Sequence, residues 1–197
     1  MQEKITIMVN YYTHKNLNDM IREVEREFPL ENSFFPTKNI RNLIANPDYP
    51  DDEGRECGEP FLNQRWIDVP AIQWYDNAEF VSFATSRALA YFFPSIIRNS
   101  YMEEISRVNN YMADAEEWMM NKLIVVCFSE RIRTYVQKEV NYIYRSYTKN
   151  QLEIVRKWIL FQNKDNYFAD SCNNALKILD SCLLYTSPSP RDSTSSR

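Results

Sequence analysis

Residues 61–102 read FLNQRWIDVPAIQWYDNAEFVSFATSRALAYFFPSIIRNSYM. Trp66, Trp74, Phe80, Phe83, Tyr91, Phe92, Phe93, Ile96 and Ile97 all fall within this span. Each side chain of that size gains roughly 1.5–3 kcal/mol by leaving water, so the span is the expected centre of the hydrophobic core. In its second half Thr85 or Ser86 stands where a helix cap belongs, and Leu89, Phe92, Phe93, Ile96 and Ile97 follow at helical spacing. Pro94 interrupts that helix and is expected to kink it or divide it in two. Upstream, Pro70 suits the first turn of a shorter helix carrying Ile72, with Asp76 and Glu79 on its polar side towards Phe80 and Phe83.

The flanks repeat the helical pattern. Leu17, Met20, Ile21, Val24 and Phe28 predict a helix that ends before Pro29, with Asn16 as its cap and Arg22, Glu23, Glu25 and Arg26 on its outer face. Residues 37–45 predict a second helix with Ile40, Leu43 and Ile44 inward. Residues 46–60, which hold NPDYPDDEGRECGEP, combine three prolines, both glycines and six carboxylates, and predict an acidic loop. Beyond the core span, residues 103–122 read as helical, Phe128, Ile132, Tyr135, Val136 and Ile143 mark an amphipathic helix, and Thr148 caps another with Leu152, Val155, Ile159 and Leu160 inward. Cys172, Ala175, Leu176 and Leu179 predict a last helix. At the other end, Ile5, Ile7, Val9 and Tyr11 alternate with polar residues as a short N-terminal strand would.

The fold class is therefore mainly α: one compact multi-helix domain over residues 1–181, with a short strand at its start. A chain of 197 residues that is 44% hydrophobic can fill one core of that kind. Gly54 and Gly58 are the only glycines, too few for the hairpin turns of a large antiparallel sheet. Residues 1–12 carry Glu3 and Lys4 without a long apolar run, and no stretch of about 20 apolar residues occurs, so neither a secretory signal nor a membrane span is expected. Cys57, Cys127, Cys172 and Cys182 stand far apart, which suits reduced thiols and a cytoplasmic location. The end of the chain, from Cys182 onward, reads CLLYTSPSPRD and resembles a translated sequencing adapter, so residues 182–197 are set apart as a non-native tail. Without Arg191, Asp192 and Arg197 the formal charge moves from -4 to -5.

Three segments together carry a resemblance: QRWIDVP with Trp66, then FATSRALAYFFPSIIRN with Tyr91 to Ile97 around Pro94, then SYTKNQLEIVRKWILF with Tyr147 to Gln151. They are similar to the uncharacterised family catalogued as domain of unknown function 6714, over roughly residues 17–179. The family pattern has a tryptophan ahead of an aromatic helix resembling "fyLPayl" and a later helix opened by a segment resembling "ltpeQ". Phe93 replaces the usual leucine before Pro94, and Lys149 and Asn150 replace the usual proline and acid before Gln151. The resemblance implies a fold and lends no catalytic residues.

Chemistry is sparse. His14 is the only histidine and has no sequence-local nucleophile. The cysteines lack metal-ligand spacing, and Pro50 occupies a ligand position of the calcium loop that would start at Asp48, so neither metal nor cofactor is expected. Glu139 falls on the apolar face of its predicted helix and joins Trp66, Trp74 and Glu79 as a candidate pocket. Asp48, Asp51, Asp52, Glu53, Glu56 and Glu59 form a candidate partner-binding surface suited to a basic protein. Residues 122–164 hold nine basic side chains against three acids, and Arg131, Lys138 and Arg145 recur every seven residues. That basic stretch predicts either packing against the acidic remainder of the molecule or, through residues 131–157, weak nucleic-acid binding, which an overall pI near 5.2 opposes. The leading expectation is a non-catalytic protein-interaction module of an immunity or regulatory type. The alternatives are a carboxylate-based hydrolase-like enzyme and the nucleic-acid binder.

Overall fold

A computed structural model of the chain describes residues 12–30, 38–45, 53–107, 110–124, 143–165 and 168–185. Of these, 79% are helical and none forms a strand, so the mainly α reading holds. One antiparallel bridge, Ile44 to Ala84, is the nearest approach to a sheet. The predicted strand at residues 5–11 lies outside the described residues. No described helix is long and apolar enough to cross a membrane.

Helix α1 spans His14–Glu27 and begins earlier than its apolar spacing predicts. Thr13, not Asn16, is the cap: its hydroxyl accepts the Asn16 N–H at 3.3 Å. Helix α2, Ile40–Leu43, is a single turn capped by Asn39. It is shorter than expected because Ile44 and Ala45 turn away to pair with the segment before the central helix, with Ala45 N–H donating to Phe83 O at 3.0 Å and Thr85 N–H to Leu43 O at 2.8 Å.

The acidic loop needs correction. Its second half is helix α3, Glu53–Gly58, followed by a 3-10 turn at Glu59–Phe61. The glycines there serve close packing rather than a turn. A Cβ on Gly58 would lie 2.6 Å from Ile44 Cγ1, and one on Gly54 would lie 3.1 Å from Phe83. Composition alone reads glycine as a loop signal and cannot register a neighbour supplied from elsewhere in the chain.

A 3-10 turn at Trp66–Asp68 leads to α4, Ala71–Asp76, capped by Pro70, and then to α5, Phe80–Phe83. The core span ends in α6, Ser86–Ser106, whose cap is Thr85. Residues 92–97 are buried without a break, as expected of a helix surrounded by protein on every side. It packs against α1, α2, α4, the Trp66–Asp68 turn and the helix that follows it.

Pro94 does not divide α6. A proline leaves the carbonyl four residues earlier without its N–H, and here that carbonyl belongs to Ala90. The Tyr147 hydroxyl donates to it at 2.6 Å. A side chain from a distant segment thus replaces the missing backbone bond, and the helix runs on.

Three polar side chains are also buried on α6. Ser95 Oγ accepts the Trp74 indole N–H at 3.0 Å, and Ser100 Oγ accepts that of Trp158 at 3.1 Å. Asn99 Nδ2 donates to Val69 O and Ser95 O, each at 2.9 Å. Two tryptophans can therefore be wholly buried without leaving their N–H groups unmatched.

The predicted helix over residues 103–122 is interrupted. α6 ends at Ser106 with Arg107 in the left-handed region, φ 51°, and α7 starts at Ala113 and runs to Leu123. No side chain at the Met112 cap position closes α7. Glu103 does so from α6, accepting Tyr111 N–H at 2.5 Å and Met112 N–H at 3.1 Å. A carboxylate beside a helix N-terminus is also favoured by the helix dipole.

Helix α8, Lys149–Gln162, carries the full capping box: Thr148 and Gln151 exchange side chain to backbone bonds. Gln151 also reaches α1, donating to Glu27 O at 2.8 Å. Helix α9, Ala169–Tyr185, buries Cys172, Ala175 and Leu179 as predicted. It continues past Ser181 into the first residues of the stretch set apart as a tail; residues 186–197 lie outside the described residues. α8 lies between α1 and α9, and cations on it and on the 3-10 turn Asn163–Asp165 that follows face acids of other elements: Lys157 with Glu23 at 2.6 Å, Arg156 with Asp180 at 3.3 Å, and Lys164 with Glu104.

Candidate functional site

Three of the four candidate pocket residues can be placed. Trp66 and Trp74 are buried in the core, where Trp74 meets Phe61 at a ring separation of 4.9 Å. Glu79 is exposed in the turn before α5, and Glu139 lies outside the described residues. Of the candidate docking acids, Asp48, Asp51 and Asp52 lie outside the described residues. Glu53, Glu56 and Glu59 are exposed on α3 and its 3-10 extension, and Glu59 pairs with Arg55 at 2.9 Å.

The described thiols make poor nucleophiles. Burial pushes the Cys172 thiol up to about 11. Burial raises Cys57 as well, and so do the nearby carboxylates of Glu79, Glu53 and Glu56. His14 is exposed in the first turn of α1. Among the described residues no group of His, Cys, Asp and Glu side chains is arranged to hold a metal ion.

A cleft of about 780 Å³ opens instead where the C-terminal half of α6, the start of α7 and the end of α8 meet. Ser100, Glu103, Glu104, Asp114, Glu116, Glu117, Phe161, Gln162 and Lys164 line it. Its acids do different things. Glu103 is occupied by the amides that open α7, and Glu104 is paired with Lys164. Asp114 and Glu117 are exposed on the rim. Glu116 is half-buried, and desolvation raises its carboxyl above the ordinary range. The polar side chains of Ser100 and Gln162 beside it, and then the charge of Lys164, hold the shift back. Gln162 Nε2 faces that carboxylate but reaches no hydrogen bond of normal geometry.

Beside the cleft is a face of another character. The exposed large hydrophobic side chains among the described residues are Ile72 (43% exposed), Tyr75 (53%), Met102 (41%) and Trp118 (40%). Ile72 and Tyr75 stand three residues apart, on one side of α4. Tyr75 meets Tyr111 edge to face at 5.4 Å, and Tyr111 shares a groove of about 380 Å³ with Ala71 and Met102. Trp118 and Lys122 stand one turn apart on α7, and Tyr111 lies in the turn that leads into it. Tyr111 touches α4 through Tyr75, and Lys122 Nζ donates to Ser82 O of α5 at 3.3 Å. Trp118, four residues before Lys122, therefore lies on the side of α7 that borders α5. Glu103 lines both the groove and the cleft, so the apolar face and the acidic cleft adjoin.

Periodicity missed this face because Ile72 and Trp118 are the residue types it assigns to a core. The available signal was the pattern around Trp118: Asp114, Glu117 and Asn121 place it on the polar side of α7. Comparison with known proteins adds no relative: no family model, curated protein or solved structure matches the chain.

Proposed function

We propose that this protein is a non-catalytic protein-interaction module of an immunity or regulatory type, which engages its partner through the face formed by α4, the end of α6 and α7. The observation that carries this reading is that Ile72, Tyr75, Met102 and Trp118 are exposed on three helices that pack on one another. Tyrosine, tryptophan and methionine are over-represented at interface centres, and an apolar group of this kind outside the core is what a partner covers. The proposed kinship with the family named above is compatible with it, since that resemblance supplies no catalytic residue.

The test is a comparison of wild type with a Tyr75→Ser, Trp118→Ser double variant, tagged and purified from the native cell. Both residues are exposed, so the variant should keep its melting temperature and helical content. It should lose, by about tenfold or more, a protein that co-purifies stoichiometrically with wild type. Retention of that protein by a folded double variant refutes the face.

One observation favours a second reading, carboxylate-based hydrolysis: Glu116 is a half-buried acid with a raised pKa in the lining of a cleft. It needs a second convergent acid; Glu103 and Glu104 are engaged by backbone amides and by Lys164, and Asp114 and Glu117 stand exposed on the rim. Nucleic-acid binding by the basic segment is favoured less, because Arg156, Lys157 and Lys164 are engaged by the molecule's own acids.

A further inference from the structure

The apolar face has an acidic border. Asp76 directly follows Tyr75, Glu79 lies between α4 and α5, and Asp114 and Glu117 flank Trp118 on α7. All four are exposed, and among the described residues none of them makes an ion pair. Lys122 is engaged by the Ser82 carbonyl, Arg98 by Glu25 at 2.8 Å and Arg65 by Asp68 at 2.5 Å, and Arg107, which lines the cleft with Asp114 and Glu117, pairs with neither among the described residues. The negative field extends further, since Glu79 acts together with Glu53 and Glu56 on the Cys57 thiol.

Resting on the reading that this face is an interface, we infer that its partner presents a cationic amphipathic helix. The apolar side of that helix covers Tyr75 and Trp118, and its lysines or arginines meet Asp76, Glu79, Asp114 and Glu117. Charge complementarity selects this occupant. An acidic or neutral helix would satisfy the rings but leave four carboxylates facing like charge or uncompensated as water is expelled. A second copy of the same face is disfavoured for the same reason, because a two-fold contact would set these acids against one another.

Trp118 supplies the readout. Trp66, Trp74 and Trp158 are buried, so a change in tryptophan emission when a ligand covers this face comes from Trp118. The probe is a peptide of lysine and leucine about 18 residues long, with leucines at helical spacing. Its controls are the same peptide with glutamate in place of lysine, and a scrambled lysine–leucine sequence.

The lysine peptide should shift Trp118 emission to shorter wavelength and saturate. Binding should weaken about tenfold between roughly 0.05 M and 0.5 M NaCl and by a similar factor in an Asp114→Asn, Glu117→Gln variant. Trp118→Phe should abolish the shift while preserving binding seen by anisotropy of a labelled peptide. Equal binding by the glutamate peptide leaves the face an interface and overturns its preference for cations. Binding of the lysine peptide with Trp118 emission unchanged, equal binding by the scrambled peptide, or no binding overturns the cationic-helix inference. The co-purification experiment above decides the interface itself separately.

Discussion

Tyr147→Phe should cost far more than the loss of a hydroxyl from a half-buried tyrosine usually does, because that hydroxyl completes α6. Phenylalanine keeps the ring and its edge contact with Phe28 at 5.1 Å, so the change removes only the bond to Ala90 O. That carbonyl has no backbone donor, since residue 94 is proline and Ala90 is buried. A buried carbonyl left without a partner costs about 1–3 kcal/mol. In a chain of this length each kcal/mol moves the melting temperature by roughly 2–4 °C.

A double-mutant cycle isolates the cause. Pro94→Ala restores an N–H at position 94 that can bond to Ala90 O, so in that background Tyr147→Phe should cost about 0.5 kcal/mol or less. Pro94→Ala has its own effects, better helix propensity against lost packing of a buried ring, but these cancel in the cycle. The coupling between the two sites should then be about 1–2 kcal/mol. Urea titrations followed by far-ultraviolet circular dichroism measure all four proteins. Equal costs for Tyr147→Phe in both backgrounds would show that the hydroxyl does not substitute for the missing amide, and the account of α6 would fall.

Two further outcomes follow from the packing and the cleft. Gly58→Ala places a Cβ 2.6 Å from Ile44 Cγ1, an atom near the root of a buried side chain that cannot swing clear. It should destabilise by about 1–3 kcal/mol in the same urea titration despite alanine's better helix propensity, and a neutral or stabilising result would contradict the close packing of α3 on α2. Glu116 has a folded-state pKa raised above its unfolded value, chiefly by burial. Its protonated form therefore favours folding; that contribution is complete below the unfolded pKa and is lost as pH rises through the folded one. Relative to Glu116→Gln, wild type should lose melting temperature as pH rises above the ordinary carboxyl range, and parallel profiles would show that the carboxyl is not desolvated.

Much of the helical content was legible because periodicity and capping are local. Thr148 and Gln151, Thr85 ahead of the apolar run, and the inward set Leu152, Val155 and Ile159 are each read from residues within a turn or two of one another. The errors fall where a distant partner overrides a local signal. Gly54 and Gly58 read as loop but lie in a helix, where Phe83 and Ile44 crowd the place that a side chain would take. Pro94 reads as a break and is bridged by Tyr147. Arg107 reads as helix interior and is a left-handed terminus, with Glu103 folding back to open α7.

The candidate site was illegible for the same reason. Glu116 is one acid among several on a mixed helix until Ser100 and Gln162 are brought to it from α6 and α8. Ile72 and Trp118 carry the composition of a core and stand on the surface. The amino-acid order alone determined that this chain buries its aromatic side chains in a mainly helical fold, because amphipathic spacing and caps act over a few residues. Which acids lie deep, which rings stay exposed and how α6 survives its proline were decided only by tertiary contacts, because hydrogen bonding and desolvation depend on groups far apart in the chain.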